Sequence, residues 1–146
     1  MNETFLGGKT AVVTGATRGI GFAVARALAQ AGASVALCGR TQAGVDDAVR
    51  RLTEEITPFA GRKVVGKAAD VRGSADVAAF FEWVAAENGG PDILVNNAGV
   101  GIMRSTADLT VEQWRETMDT NLTGAFYCSR EALSRMKNRG GGYPSI

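Results

Sequence analysis

Thr10-Ala11-Val12-Val13-Thr14-Gly15-Ala16-Thr17-Arg18-Gly19-Ile20-Gly21 is the stretch whose reading decides the fold. Thr10 to Val13 form a short apolar, β-branched run, which favours a strand. Phe22-Ala23-Val24-Ala25-Arg26-Ala27-Leu28-Ala29 is strongly helix-forming. Between them the glycines let the backbone turn sharply and leave room for an anion at the helix N-terminus. Unpaired N–H groups and the helix dipole favour negative charge there. The spacing is Gly-x-x-x-Gly-x-Gly rather than the commoner Gly-x-Gly-x-x-Gly of dinucleotide folds.

The alternation continues along the chain. Ser34 to Cys38 read as a second strand after the Gly32 turn, and Val45, Val49, Leu52 and Ile56 recur at helical spacing until Pro58 stops the run. Lys63 to Ala69 read as a third strand, weakened by its interior Gly66. Val77, Phe80, Phe81 and Val84 mark the next helix, broken by Gly89-Gly90-Pro91. Asp92 to Val95 read as a fourth strand, apolar from Ile93 onward. A last helix is expected from Thr110, capped with Gln113, to about Asn138, where Gly140-Gly141-Gly142 end it. Val111, Trp114, Met118, Leu122, Ala125 and Phe126 would trace its apolar face. Short apolar strands separated by helices imply a parallel sheet covered on both faces. The expectation is a doubly wound α/β, Rossmann-type three-layer domain over residues 1–146, with strand order 3-2-1-4. Tyr143-Pro144-Ser145-Ile146 would be at most a stub of a fifth strand, because proline is out of place inside a central strand.

Composition bounds the function. The chain has 146 residues, one domain's worth, with 16 basic and 15 acidic residues and a net charge of +1, so nothing suggests a nucleic-acid footprint. No apolar run reaches membrane-spanning length, and Met1 to Phe5 have neither a basic n-region nor a long h-region, so no signal peptide is expected; a cytoplasmic location is the default expectation. The absence of histidine eliminates Ser-His-Asp chemistry and His-Glu-x-x-His zinc sites. Cys38 and Cys128 make neither a disulfide framework nor a metal cluster, and no metal site is expected.

The glycine turn, Asp70-Val71 after the third strand, Asn96-Asn97-Ala98-Gly99 after the fourth and Asn121 beyond fall in order at strand ends. Together they make the chain resemble the short-chain dehydrogenase/reductase family, in the flavour of bacterial 3-oxoacyl-carrier-protein reductases. The similarity runs from Lys9 to Gly142, about the first 60% of a family member's length.

The resemblance implies the following assignments. Gly15 allows close backbone approach, the helix opening at Gly19 and Ile20 carries a pyrophosphate, and Gly21 permits close helix-to-strand packing; Thr17 and Ile20 add cofactor contacts. Where the family places an acidic residue on the adenosine ribose, this chain has Gly39 followed by Arg40. Arg40 and Arg18 then suit a 2′-phosphate, and NADPH is expected over NADH. The plainer alternative is a pair of solvated surface arginines. Asp70 would accept the adenine amino group with Val71 beside it, or else serve as a helix N-terminal turn residue. Asn97, Ala98 and Gly99 would line the ribose and nicotinamide side, with Asn96 tying neighbouring strands together. Asn121, read as a buried amide on the apolar helix face, is the candidate catalytic residue. It would shape the helix and support a water, or act as a purely structural amide.

The resemblance further implies hydride transfer between the nicotinamide and a carbonyl or secondary-alcohol carbon, 3-oxoacyl thioesters included. The family's serine and Tyr-x-x-x-Lys lie on later elements. Tyr127 is followed four residues on by Glu131, so packing is its expected role; neither Tyr143 nor Ser145 fits the pattern. The sequence therefore reads as the cofactor-binding portion of a longer oxidoreductase acting on a small molecule. The alternatives are a stand-alone NADP(H)-binding module without catalysis and an interaction fragment. Homo-oligomerisation through the 110–138 helix is expected from the family's interface.

Overall fold

In a computed structural model the described residues are 5–56 and 62–137. The expected stop at Pro58, the helix end at Asn138 to Gly142 and the stub at Tyr143 to Ile146 lie outside them.

Strands and helices alternate as β1 (Thr10–Val13), α1 (Gly19–Gln30), β2 (Ser34–Gly39), α2 (Gln42–Glu55), β3 (Val64–Ala68), α3 (Ser74–Asn88) and β4 (Ile93–Val95). Then come α4 (Val111–Met118), a π-helical turn (Asp119–Thr123) and α5 (Gly124–Lys137). All strand pairings are parallel, in the order β3-β2-β1-β4. Val12 lies opposite both Ala36 and Leu94, and Leu37 lies opposite Gly66. This is the doubly wound Rossmann-type order that was expected.

Side chains of successive strand residues point to opposite faces, so the sheet supports two cores. On one face Val12, Ala36, Cys38 and Leu94 pack with Phe80, Phe81 and Val84 of α3 and with Cys128 and Ala132 of α5. On the other, Val13, Val35 and Leu37 pack with Phe22, Ala25 and Ala29 of α1 and with Val45, Ala48 and Leu52 of α2. β3 is one residue shorter at each end than the sequence suggests, and β2 one longer. Gly66 is the docking point of α2 on β3: a Cβ there would stand 2.5 Å from Val45 Cγ1 and 2.9 Å from Val49 Cγ2.

The helix expected from Thr110 starts as its sequence dictates. Thr110 Oγ1 accepts from Gln113 N–H and Gln113 Oε1 accepts from Thr110 N–H, a complete capping box. It does not continue as one helix, because the π-helical turn intervenes after Met118 and re-phases the face. Leu122 and Phe126 are consequently exposed while Gly124, Cys128 and Ala132 face the core, and Val111 and Trp114 of α4 are exposed as well. Tyr127 is half-buried against that core, its ring 5.8 Å from that of Phe126 and tilted by 50° to it.

Candidate cofactor site

The loops that follow β1, β2, β3 and β4 converge on a cavity of about 360 Å³ at the carboxyl ends of the strands. The crossover from β3 to β4 passes over to the far side of β1, so the cavity lies at the switch point where open α/β sheets bind ligands. It is lined by Gly15, Thr17, Arg18, Gly19, Ile20, Gly21, Arg40, Asp70, Val71, Asn97, Ala98 and Gly99, the full set of candidate cofactor residues. Cys38, Gly39, Ala69, Arg72, Val100 and Thr120 complete the lining. Asn121 is not among the lining residues.

The turn after β1 is shaped by contact with the turn after β4. Gly15 adopts φ +62°, and a Cβ on it would stand 2.7 Å from Ala98 Cα. Buried Thr14 joins the two turns: its Oγ1 accepts from Asn97 N–H at 3.1 Å and from Ala98 N–H at 3.0 Å. Asn97 Nδ2 returns the link, donating to the carbonyls of Thr14 and Gly15 at 3.0 Å each. The strand-tying amide is therefore Asn97. Asn96 points to the opposite face and donates to Ser129 Oγ of α5 at 3.0 Å.

The N-terminus of α1 opens into this cavity with its donors uncapped. Arg18 occupies the N-cap without a side-chain hydrogen bond, and the first turn carries no acidic residue. Ile20, in that turn, is 78% exposed. Thr17 turns its methyl onto Gly39, where a Cβ would stand 2.5 Å from Thr17 Cγ2. The end of β2 is thus a glycine for a packing reason, and the first side chain beyond it is Arg40. Among the described residues the guanidiniums of Arg18 and Arg40 form no hydrogen bond or ion pair. They stand ready for an anion.

Asp70 is differently placed. Arg72 forks onto its carboxylate, with Nη2 to Oδ2 at 2.6 Å and Nε to Oδ1 and Oδ2 at 3.0 and 3.1 Å. The Arg72 backbone N–H adds a bond to Oδ1 at 3.0 Å. The Arg72 fork is the main reason the Asp70 carboxyl is held below its ordinary range, with the charge of Arg40, another lining residue, contributing less. The neighbouring Val71 N–H makes no hydrogen bond among the described residues. The thiol of Cys38, a buried lining residue, is pushed up to about 12 by burial, which leaves it neutral.

Asn121 is exposed, not buried as the sequence suggested, because it sits in the π-helical turn. Its amide is nonetheless fully engaged: Oδ1 accepts from Val100 N–H at 2.8 Å and Nδ2 donates to Val100 O at 2.9 Å. It fastens the loop after β4 rather than presenting a group to the cavity. Sequence reasoning missed three contributors. Thr14 was detectable as a polar residue at the end of a buried strand. Arg72 had a signal in its position two residues after Asp70, whereas Thr120 had none.

Taken together, uncapped helix donors, two free guanidiniums and small residues at the closest backbone approaches suit an extended anionic ligand. Residues 9–143 match the family model described as short chain dehydrogenase. The chain belongs to the short-chain dehydrogenase family. It is 42% identical over 134 residues to D-beta-hydroxybutyrate dehydrogenase of Rhizobium meliloti (strain 1021), covering 92% of this chain and 51% of that protein. It is equally 42% identical, over 134 residues, to 3alpha-hydroxysteroid dehydrogenase of Mediterraneibacter gnavus, covering 92% and 52%. The crystal structure of L-sorbose reductase from Gluconobacter frateurii, complexed with NADPH and L-sorbose, superposes with a TM-score of 0.86 at 35% identity. That match covers 96% of this chain and 52% of the reductase. The chain thus spans about half the length of the relatives it matches.

Proposed function

We propose that this chain is the cofactor-binding portion of an NADP(H)-dependent oxidoreductase acting on a carbonyl or secondary alcohol of a small molecule. The observation that carries the reading is the pair of free guanidiniums, Arg18 and Arg40, in the lining of one cavity, together with a strand end that Thr17 keeps free of any carboxylate. Two planar, permanently charged groups are suited to a phosphate dianion. In this reading the α1 N-terminus at Gly19 and Ile20 takes the pyrophosphate, and Asp70 with Val71 N–H reads the adenine edge. Asn97, Ala98 and Gly99 form the wall beside the ribose and nicotinamide, and Asn121 holds that wall in place. The bound dinucleotide supplies the hydride that is exchanged with the substrate carbon. The structural relative with NADPH bound, and relatives named for hydroxy-acid and hydroxysteroid oxidation, support the same class. A 3-oxoacyl thioester is the substrate we favour, in keeping with relatives named as ketoacyl reductases.

The proposal places the protein in the cytoplasm as one domain. It places a second copy against the exposed Val111, Trp114, Leu122 and Phe126. No helix of the described residues is long and apolar enough to cross a membrane.

The test is the Arg40→Glu variant. Each charge-assisted hydrogen bond lost contributes about 1.5–3 kcal/mol, so NADPH affinity should fall about ten- to a hundredfold while NADH affinity holds or rises. An equal fall for both cofactors would remove Arg40 from phosphate recognition.

A further inference from the structure

The cavity is lined by four charged residues, Arg18, Arg40, Arg72 and Asp70. Three are cations, and the carboxylate belongs to the fork. Asp70 lies within electrostatic reach of Arg40, so a phosphate held by Arg40 would also feel any uncompensated charge on Asp70. The Asp70–Arg72 fork does little for the fold. Both side chains are partly exposed, at 31% and 40%, and they lie two residues apart in the same loop, so they join no separate elements. The turn itself is already closed by backbone donors, with Gly73 N–H bonded to Asp70 O and Arg72 N–H to Asp70 Oδ1. Glu116 of α4 and Asp119 of the π-helical turn lie within electrostatic reach of Arg72 and, after Asp70, further favour its charged form. Asp76 accepts from the Asp70 backbone N–H. Neither Glu116, Asp119 nor Asp76 lines the cavity.

We propose that Arg72 is a specificity-determining residue: by forking onto Asp70 it neutralises the one negative charge in the cavity wall, so that a phosphorylated adenosine ribose is accepted. The inference rests on the NADP(H) reading. Asp70 can then serve the adenine end without repelling the phosphate between Arg18 and Arg40. NADH, which has no such phosphate, should be nearly indifferent to Arg72.

The experiment is a titration of NADPH and of NADH into the wild-type chain, Arg72→Ala, Arg72→Gln and the double variant Asp70→Asn/Arg72→Ala. The glutamine variant stands in should the alanine variant fold poorly. Loss of Arg72 should weaken NADPH about tenfold and NADH less than about threefold, and added salt should shrink the difference. The double variant should restore the wild-type ratio of the two affinities, even with both weaker. A parallel loss for both cofactors, or a ratio still depressed in the double variant, would overturn the inference while leaving the NADP(H) reading intact. A wild-type chain that binds the two equally, or neither, would sink the NADP(H) reading and the inference with it.

Discussion

Asp70 carries a small, pH-dependent stabilising contact in the lining of the cavity. Its carboxyl is held below the ordinary value of 3.8, first by the Arg72 side chain. A folded-state pKa below the unfolded one means a stabilising contribution that is present above the unfolded value. That contribution is lost as pH falls through the folded one. Thermal melts of wild type and Asp70→Asn should therefore differ by a constant small margin from pH 5 to 7, with wild type the more stable. The two should converge below pH 3.8. A margin unchanged down to pH 2.5 would mean that the fork does not hold the carboxylate.

At this scale the sequence was informative wherever a residue type has one physical use. Gly39 followed by Arg40 could be read as a strand end without a carboxylate, but the reason for the glycine, the Thr17 methyl, is a tertiary contact that no local pattern reveals. Adjacent asparagines were harder to resolve. Which of Asn96 and Asn97 faces β1 depends on a one-residue phase, and the structure gives that role to Asn97.

At the scale of elements, α1 is seated by the absence of a side chain at Gly21. A Cβ there would stand 2.5 Å from Gly15 O and 3.0 Å from Ala16 Cα, and closer still to Asn97 Nδ2. Gly21→Ala should push α1 off the turn after β1 and break the Asn97 bridge. Urea denaturation should show a loss of about 1–3 kcal/mol, the usual cost of overpacking. An unchanged midpoint would show that α1 and the loop after β4 adjust independently. The strands and first three helices were legible because apolar period, capping residues and glycine breaks agreed. Gly89, for example, caps α3 in the left-handed conformation at φ +75°. The π-helical turn was not legible, because its inserted residue shifts the phase of an apolar pattern that otherwise reads as continuous helix. Its consequence is large: it exposes Leu122 and Phe126, brings Cys128 inward and carries Asn121 to Val100.

For the molecule as a whole, parallel strands in the order β3-β2-β1-β4 bring four loops to one end of the sheet, and the switch point falls between the neighbours of β1. The parallel sheet was readable from strand–helix alternation, whereas the strand order was legible only through the family resemblance, because alternation by itself also suits the order 2-1-3-4. The two cores fasten helices to both faces, and the Thr14 and Asn97 bonds tie the turns after β1 and β4 to each other, so sheet and loops together hold the cavity walls. The central claim is that these walls form a binding site selective for a phosphorylated dinucleotide. The most direct test is a fluorescence titration of the 146-residue chain with NADPH, with NADH as the matched control. The account predicts saturable binding with NADPH favoured about tenfold or more, the worth of one charge-assisted hydrogen bond. Equal affinities, or no saturation with either, would contradict it.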